Sequence, residues 1–342
     1  MLLNKSQNNL LELLLLDQKK VDKELYSAGP YWDYKAKKIH YWLKKKGLSN
    51  FRGFFSGVGT SYTDNIAVDI NYELGFKGRF VSKFLKLPFL RTIFREQVNL
   101  NLNTTKAFLK YKQFYYLNNN KVNNLVSKYK IEDTTEYGCE TKVEINGKHY
   151  SMAYLDMCER IDNIMNFIKF NEIRSYMEIG GGFGANIHLI LQNFKNIKKI
   201  VYIDIVPNLF VGTEYLRNFF GNSVKDYREF RDSNKIEFEK DDSLEIICLP
   251  PWKILDLNSK IDSFHNSASF QEMTHNQVSN YYNCIKKNLK GGSISLIVYK
   301  GWQDNNTLSP KKINEIFENK LVEKEFSNFD KNDSNLVYLL SN

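Results

Sequence analysis

Met177-Glu178-Ile179-Gly180-Gly181-Gly182-Phe183-Gly184-Ala185 decides the fold. RSYMEIG (174–180) reads as a strand and ANIHLILQNF (185–194) as the helix that follows it. A glycine cluster between the two lets the backbone approach a ligand closely and turns helix N–H groups towards it.

Beyond this stretch the alternation continues. KKIVYIDI (198–205) is a second strand, and PNLFVGTEYLRNFFG (207–221) is a helix with Pro207 in its first turn and Gly221 past its end. LEIICL (244–249) is a third strand, after a charged insertion at 222–243 that the pattern leaves unassigned. IDSFHNSAS (261–269) is a fourth, a helix covers 274–289, and SISLIVYK (293–300) is a fifth. SPKKINEIFENKL (309–321) is a helix capped by Ser309 with Pro310 at its first position, and VEKEFSNF and NLVYLL pair after it as an antiparallel hairpin. This order predicts an α/β fold, an open and mostly parallel Rossmann-like sheet with helices on both faces. Ligands of such sheets bind at the carboxyl ends of the strands, here in the loops after strands one, two and four.

The N-terminal half reads differently. Apolar residues at three- and four-residue spacing predict helices over 9–26, 32–46, 79–87, 89–117 and 119–130. FRGFFSGVGTSYTDN (51–65) is a loop, either a plain connection or a flap over a pocket. CETKVEINGKHYSMAYL (139–155) alternates around Asn146-Gly147, the signature of a type I′ hairpin, and a helix is expected over 156–170. Three parts follow: a mostly helical region over 1–138, a hairpin and connecting helix over 139–173, and the sheet domain over 174–342. No composition break separates them, so continuous packing is expected.

With 342 residues, 42% hydrophobic and 25% charged, the chain is neither disordered nor fibrous. Residues 1–150 carry 25 Lys/Arg against 14 Asp/Glu, while the remainder carries 23 against 25. The basic half is either a solvated lysine-rich surface or a face for something anionic. Cys139, Cys158, Cys248 and Cys284 lie far apart with no C-x-x-C pair, which fits a reduced, cytoplasmic protein. The leucine-rich start is broken by Glu12 and ends at Asp17, so it reads as an amphipathic helix and not as a signal peptide or membrane span.

Two ligand templates fit the glycine loop. G-x-G-x-x-A (Gly180, Gly182, Ala185) suits a dinucleotide. Acidic-x-G-x-G-x-G (Glu178, Gly180, Gly182, Gly184, with Gly181 inside the turn) suits S-adenosylmethionine. Glu178 favours the second, because a carboxylate there meets a cationic ligand well and a pyrophosphate badly. Asp204 ends the second strand with Ile205 beside it, placed to accept both hydroxyls of an adenosine ribose. The antiparallel finish is usual for a methyltransferase sheet and not for a dehydrogenase.

With these residues in place the chain resembles the class I S-adenosylmethionine-dependent methyltransferases, and within them the sugar O-methyltransferase family of the NanM type. The resemblance is carried by MEIGGGFGAN (177–186), YIDIVPNLFVGTEYL (202–216), CLPPW (248–252) and FHNSASFQEMT (264–274), with Tyr281-Tyr282 downstream. It covers about 174–300; YWDY (31–34) and the 57–65 loop are only suggestive. It implies a seven-stranded sheet with the last strand antiparallel, S-adenosylmethionine as cofactor, and a sugar hydroxyl as acceptor. That sugar is nucleotide-activated or glycan-borne, as in surface polysaccharide synthesis, with the N-terminal half closing over it and supplying basic groups for its phosphates.

Leu249-Pro250-Pro251-Trp252 echoes the tetrapeptide of enzymes that methylate amines in DNA, but Leu249 cannot accept a hydrogen bond from an amine. Trp252 either packs on the adenine or belongs to the core. His265 and Asn266 lie at the carboxyl end of the fourth strand, where the methyl should emerge, and an imidazole there suits proton removal near neutral pH. Glu272 is the second candidate base or the group that orients His265. His275, with His265 and Glu272, matches no recognised metal spacing, and metal dependence stays open. Two other functions compete. An NAD(P)-dependent sugar oxidoreductase would use Gly180, Gly182 and Ala185; a nucleic-acid or membrane-surface protein would use the basic half and FLKLPFLRTIFR (84–95).

Overall fold

The computed structural model describes residues 2–48, 51, 120–130, 137–138, 143–150, 152–289, 291–300, 307–325 and 336–341. The helices expected over 79–87 and 89–117, most of the 51–65 loop and the basic stretch 84–95 lie outside the described residues.

A short hairpin, β1 (Val143–Ile145) and β2 (Lys148–Tyr150), turns on Asn146 and Gly147, at φ +52° and +75°. Positive φ at both central residues is the type I′ geometry that the Asn-Gly pair predicts. The main sheet contains β3 (Ser175–Ile179), β4 (Lys199–Ile203), β5 (Val224–Lys225), β6 (Glu245–Leu249), β7 (Ser263–Ser267), β8 (Ser293–Tyr299), β9 (Val322–Glu325) and β10 (Leu336–Ser341). Their spatial order is β5-β6-β4-β3-β7-β8-β10-β9. β10 runs antiparallel to both β8 and β9, and the other pairings are parallel. The seven expected strands are all present, and the unassigned insertion adds an eighth, the two-residue edge strand β5. From β3 the chain builds outwards through β4 to β6, then returns to place β7 on the other side of β3. That reversal is the topological switch point, where a crevice opens beyond the carboxyl ends of the strands.

Helices cover both faces. α1 (Lys5–Asp17), α2 (Lys23–Tyr26), α3 (Pro30–Lys46) and α4 (Asn120–Lys128) come from the N-terminal half. α5 (Met152–Ile164), α6 (Ala185–Asn193), α7 (Val206–Phe220), α8 (Tyr227–Phe230), α9 (His275–Asn288) and α10 (Pro310–Ile316) follow. The helix expected over 9–26 is broken after Asp17, and Asp22 caps a new start by accepting the Glu24 and Leu25 amides. The helix expected over 156–170 begins earlier, at Met152, and ends at Ile164. No helix among the described residues is long and apolar enough to cross a membrane.

One apolar core unites the N-terminal helices with one face of the sheet. Leu10, Leu11 and Leu14 of α1, and Ile39 and Leu43 of α3, join Tyr154 and Ile161 of α5 and Phe210 and Tyr215 of α7. Each such side chain contributes about 1.5–3 kcal/mol on burial, so these helices are part of the fold. A polar tie reinforces the contact: Asp17, at the end of α1, accepts from Arg231 at 2.7 Å and from the Tyr227 hydroxyl at 3.1 Å. The second core lies on the opposite face, under α9 and α10.

Candidate functional site

The loop after β3 is built by its glycines. Gly180, Gly182 and Gly184 sit at φ +75°, +62° and +88°, where an L side chain is strained. At Gly180 a Cβ would also lie 2.0 Å from Ser269 Oγ, so the close approach of the next loop depends on its absence. The amides of this turn are largely committed within the protein. Gly180 N–H donates to the Ile203 carbonyl at 2.8 Å, Gly184 N–H to the Gly181 carbonyl at 3.0 Å, and Gly182 N–H to Asp204 Oδ2 at 2.8 Å.

Asp204 follows β4 directly. Its second oxygen accepts the Ile205 N–H at 2.7 Å. Burial nevertheless pushes its pKa up to about 7, against these hydrogen bonds. Glu178 is wholly buried beneath the same loop, and there too burial dominates, raising its pKa to about 8. Asn186 Nδ2 donates to Glu178 Oε1 at 2.6 Å, while Oε2 has no hydrogen-bond partner. Asn186 Oδ1 and Asn208 Oδ1 are likewise buried without a donor. Three orphaned acceptors therefore surround the loop, and a buried acceptor left unmet costs about 1–3 kcal/mol.

The loop after β7 forms the opposite wall. Asn266 staples it in place: its Nδ2 donates to the Ile179 carbonyl at 2.8 Å and to Ser269 Oγ at 2.6 Å, and its Oδ1 accepts the Phe270 amide at 3.2 Å. Ala268 is held at φ +65°, a left-handed conformation that costs a non-glycine residue about 1–2 kcal/mol. The roof comes from the N-terminal half. Residues 27–29 and Trp32, between α2 and the start of α3, line the cleft, and the Trp32 indole N–H donates to Glu272 Oε2.

These walls enclose about 700 Å³, counting the open mouth. Gly180, Gly182, Asp204, Ile205, Pro251, Ser267 and Glu272 are among the lining residues. Among the described residues of this lining Asp204 and Glu272 are charged, and none is Lys, Arg or His.

Several expected residues thus come together: the glycine loop, Asp204, Ile205 and Glu272 meet at one cleft. Others stand apart from its lining. His265 is outside that lining, 1% exposed, with Nδ1 2.8 Å from Ser295 Oγ and Nε2 without a partner. Burial pushes its pKa down to about 3, which keeps the imidazole neutral near pH 7. Asn266 is engaged in holding the loop. Trp252 packs edge-on to Tyr227 at 6.0 Å, and Pro251 takes the place on the cleft wall expected of it. His275 is exposed at the start of α9, away from a buried His265, and no cluster of metal-binding side chains occurs among the described residues. His188 is tied to the Tyr215 hydroxyl at 2.7 Å and to Gln192 at 2.8 Å inside the core. Cys158, Cys248 and Cys284 are buried. Sequence reasoning passed over Asn208, Gln277 and the roof around Gly29; only YWDY hinted at Trp32.

Strand order and cleft define the class: a Rossmann-like α/β protein with an acidic, glycine-lined crevice at its switch point. No family model and no curated protein matches the chain. Among solved structures it is similar to the pyocyanin biosynthetic protein PhzM, at 11% identity over 54% of this chain and 56% of that one, with a TM-score of 0.37. The mitomycin 7-O-methyltransferase MmcR is similar at 12% identity, over 56% and 53%, with a TM-score of 0.39. Human N-acetylserotonin methyltransferase, solved with SAM, stands at 11%, over 55% and 52%, with a TM-score of 0.36. The chain spans about half the length of each, and at these scores they resemble it in outline only.

Proposed function

We propose that this protein is an S-adenosylmethionine-dependent methyltransferase acting on a hydroxyl group. The observation that carries the reading is the acidic character of the cleft: Asp204 and Glu272 line it, Glu178 lies beneath its glycine loop, and no Lys, Arg or His is among the described lining residues. An anionic pyrophosphate seated there would meet carboxylates, with the Gly180, Gly182 and Gly184 amides already donated elsewhere. A ligand with a positive charge and several N–H and O–H donors suits the site, because the orphaned atoms Asn186 Oδ1 and Asn208 Oδ1 are acceptors, as is Glu178 Oε2 once that carboxyl has lost its proton. The dinucleotide alternative is therefore disfavoured.

When bound, S-adenosylmethionine supplies an electrophilic methyl group on a sulfonium. Asp204 would hold a ribose hydroxyl, Ile205 and Pro251 would pack against the adenine, and Glu178 would compensate the methionyl ammonium. The glycine loop and the roof around residues 27–32 exclude water and fix orientation, the main requirement where the leaving group is already good. Glu272 is the carboxylate of the cleft lining left to accept the hydroxyl proton of an acceptor.

A sugar as acceptor is the finer form of this reading and rests on the resemblance of 248–252 and 264–274. A phosphate-bearing sugar would need cations that the described lining lacks, so they would come from the Lys/Arg-rich segment outside the described residues. Incubation with S-adenosylmethionine and a panel of nucleotide sugars, followed by mass spectrometry, tests both levels. A product carrying one added methyl group on a sugar oxygen supports the full reading. Methylation of other hydroxyl compounds alone removes the sugar and keeps the methyltransferase.

A further inference from the structure

Trp32 and Glu272 are 240 positions apart in the chain, yet the indole N–H of one is donated to Oε2 of the other. The contact is one of three that tie the roof to the segment after β7. Gln277 Nε2 donates to the Ser27 carbonyl at 2.9 Å. Gly29 packs so closely on the Glu272 main chain that a Cβ would lie 2.6 Å from its carbonyl oxygen. The roof and the Glu272 carboxylate therefore form one assembly. Glu272 lines the same cleft as Asp204, and its charge is close enough to Asp204 to raise the latter's pKa. One oxygen is fixed by the indole, which restricts the carboxylate to a single direction while the residue stays 6% exposed.

We infer that Trp32 is a positioning residue that holds the Glu272 carboxylate in the cleft, and that this carboxylate makes the cleft prefer a sulfonium ligand to its neutral thioether counterpart. The inference rests on the S-adenosylmethionine reading and adds a basis for releasing the spent cofactor. The donor carries a positive charge that S-adenosylhomocysteine lacks, and the two are otherwise nearly the same shape. A partly desolvated carboxylate near that charge discriminates between them, where the ribose anchor at Asp204 cannot.

Calorimetric titration of the full chain with S-adenosylmethionine and with S-adenosylhomocysteine tests this by the ratio of the two dissociation constants. Glu272→Gln should weaken S-adenosylmethionine about 10–100-fold and change S-adenosylhomocysteine by no more than about twofold. Trp32→Phe, which keeps a ring in the roof but removes the donor, should shift the ratio in the same direction by about 3–10-fold. Trp32→Gln, which restores an N–H donor, should recover part of the preference. Equal weakening of both ligands would make Trp32 a wall of the cleft and overturn the inference, as would an unchanged ratio in Glu272→Gln. Should Trp32→Phe prove unfolded by circular dichroism, Glu272→Gln and Trp32→Gln decide the matter. Wild-type protein that binds neither ligand overturns the cofactor reading and this inference together; wild-type binding with unchanged ratios overturns this inference alone.

Discussion

Asp204→Ala is the most informative single substitution, because the structure sets its size. A carboxylate offers about four lone-pair sites. Gly182 N–H and Ile205 N–H occupy two around Asp204, leaving two for a ligand. Sequence position places both ribose hydroxyls on this carboxylate, and the two open sites leave room for them. A single charge-assisted hydrogen bond is worth about 1.5–3 kcal/mol. Loss of even one should raise the S-adenosylmethionine dissociation constant roughly 10–150-fold. The measurement is calorimetry at pH 8, where a group with a pKa of about 7 is mostly ionised. At pH 6 the wild-type carboxylate is mostly protonated, so the gap between wild type and variant should narrow. The variant should also melt lower, since two backbone amides lose their acceptor, and circular dichroism must establish that it is folded. A folded variant that binds within twofold of wild type at pH 8 would refute the placement of the ribose on Asp204.

Burial raises Glu178 and Asp204 to about 8 and about 7, so the folded chain holds these protons more tightly than the unfolded chain. That contribution to stability is present at low pH and is lost as pH rises through 7 and 8, so the ligand-free protein should melt lower at pH 9 than at pH 6, while S-adenosylmethionine affinity rises over the same interval. A melting point that climbs from pH 6 to pH 9 without ligand would contradict this. Gly180→Ala should lower stability and binding together, and adding Ser269→Gly should restore only part, because the clash at 2.0 Å is relieved but the φ of +75° is not; full restoration in paired melts would show that backbone conformation is unimportant there. His265→Asn should lower the melting temperature and leave kcat within about threefold, since the imidazole is buried away from the cleft; a kcat loss of a hundredfold in a stable variant would return the base role to it.

The glycine loop was legible because its signal is local: strand, turn and helix lie within 20 residues, and only glycine suits the positive φ values at 180, 182 and 184. The strand order was legible for a similar reason, since each strand is bounded by turn or cap residues such as Gly221, Thr274 and Ser309. That His265 stays outside the cleft lining was not. All five residues of β7 are buried, as expected of a parallel strand covered on both sides, so Ser263, Phe264 and His265 carry no alternation that tells cleft from core. β5 spans two residues and leaves no period to read. The roof was hidden by distance, because nothing near Gly29 or Trp32 announces a partner at Glu272. Trp252 was left open between adenine and core by its two prolines, and its ring lies edge-on to Tyr227.

Titration of the purified wild-type chain with S-adenosylmethionine, S-adenosylhomocysteine and NAD at pH 8, in one calorimetric series, measures the central claim most directly. The expected result is one site per chain for S-adenosylmethionine, weaker binding of S-adenosylhomocysteine at the same site, and no heat from NAD. Saturable binding of NAD without any of S-adenosylmethionine would contradict it, and the acidic cleft over Gly180, Asp204 and Glu272 would then belong to a dinucleotide after all.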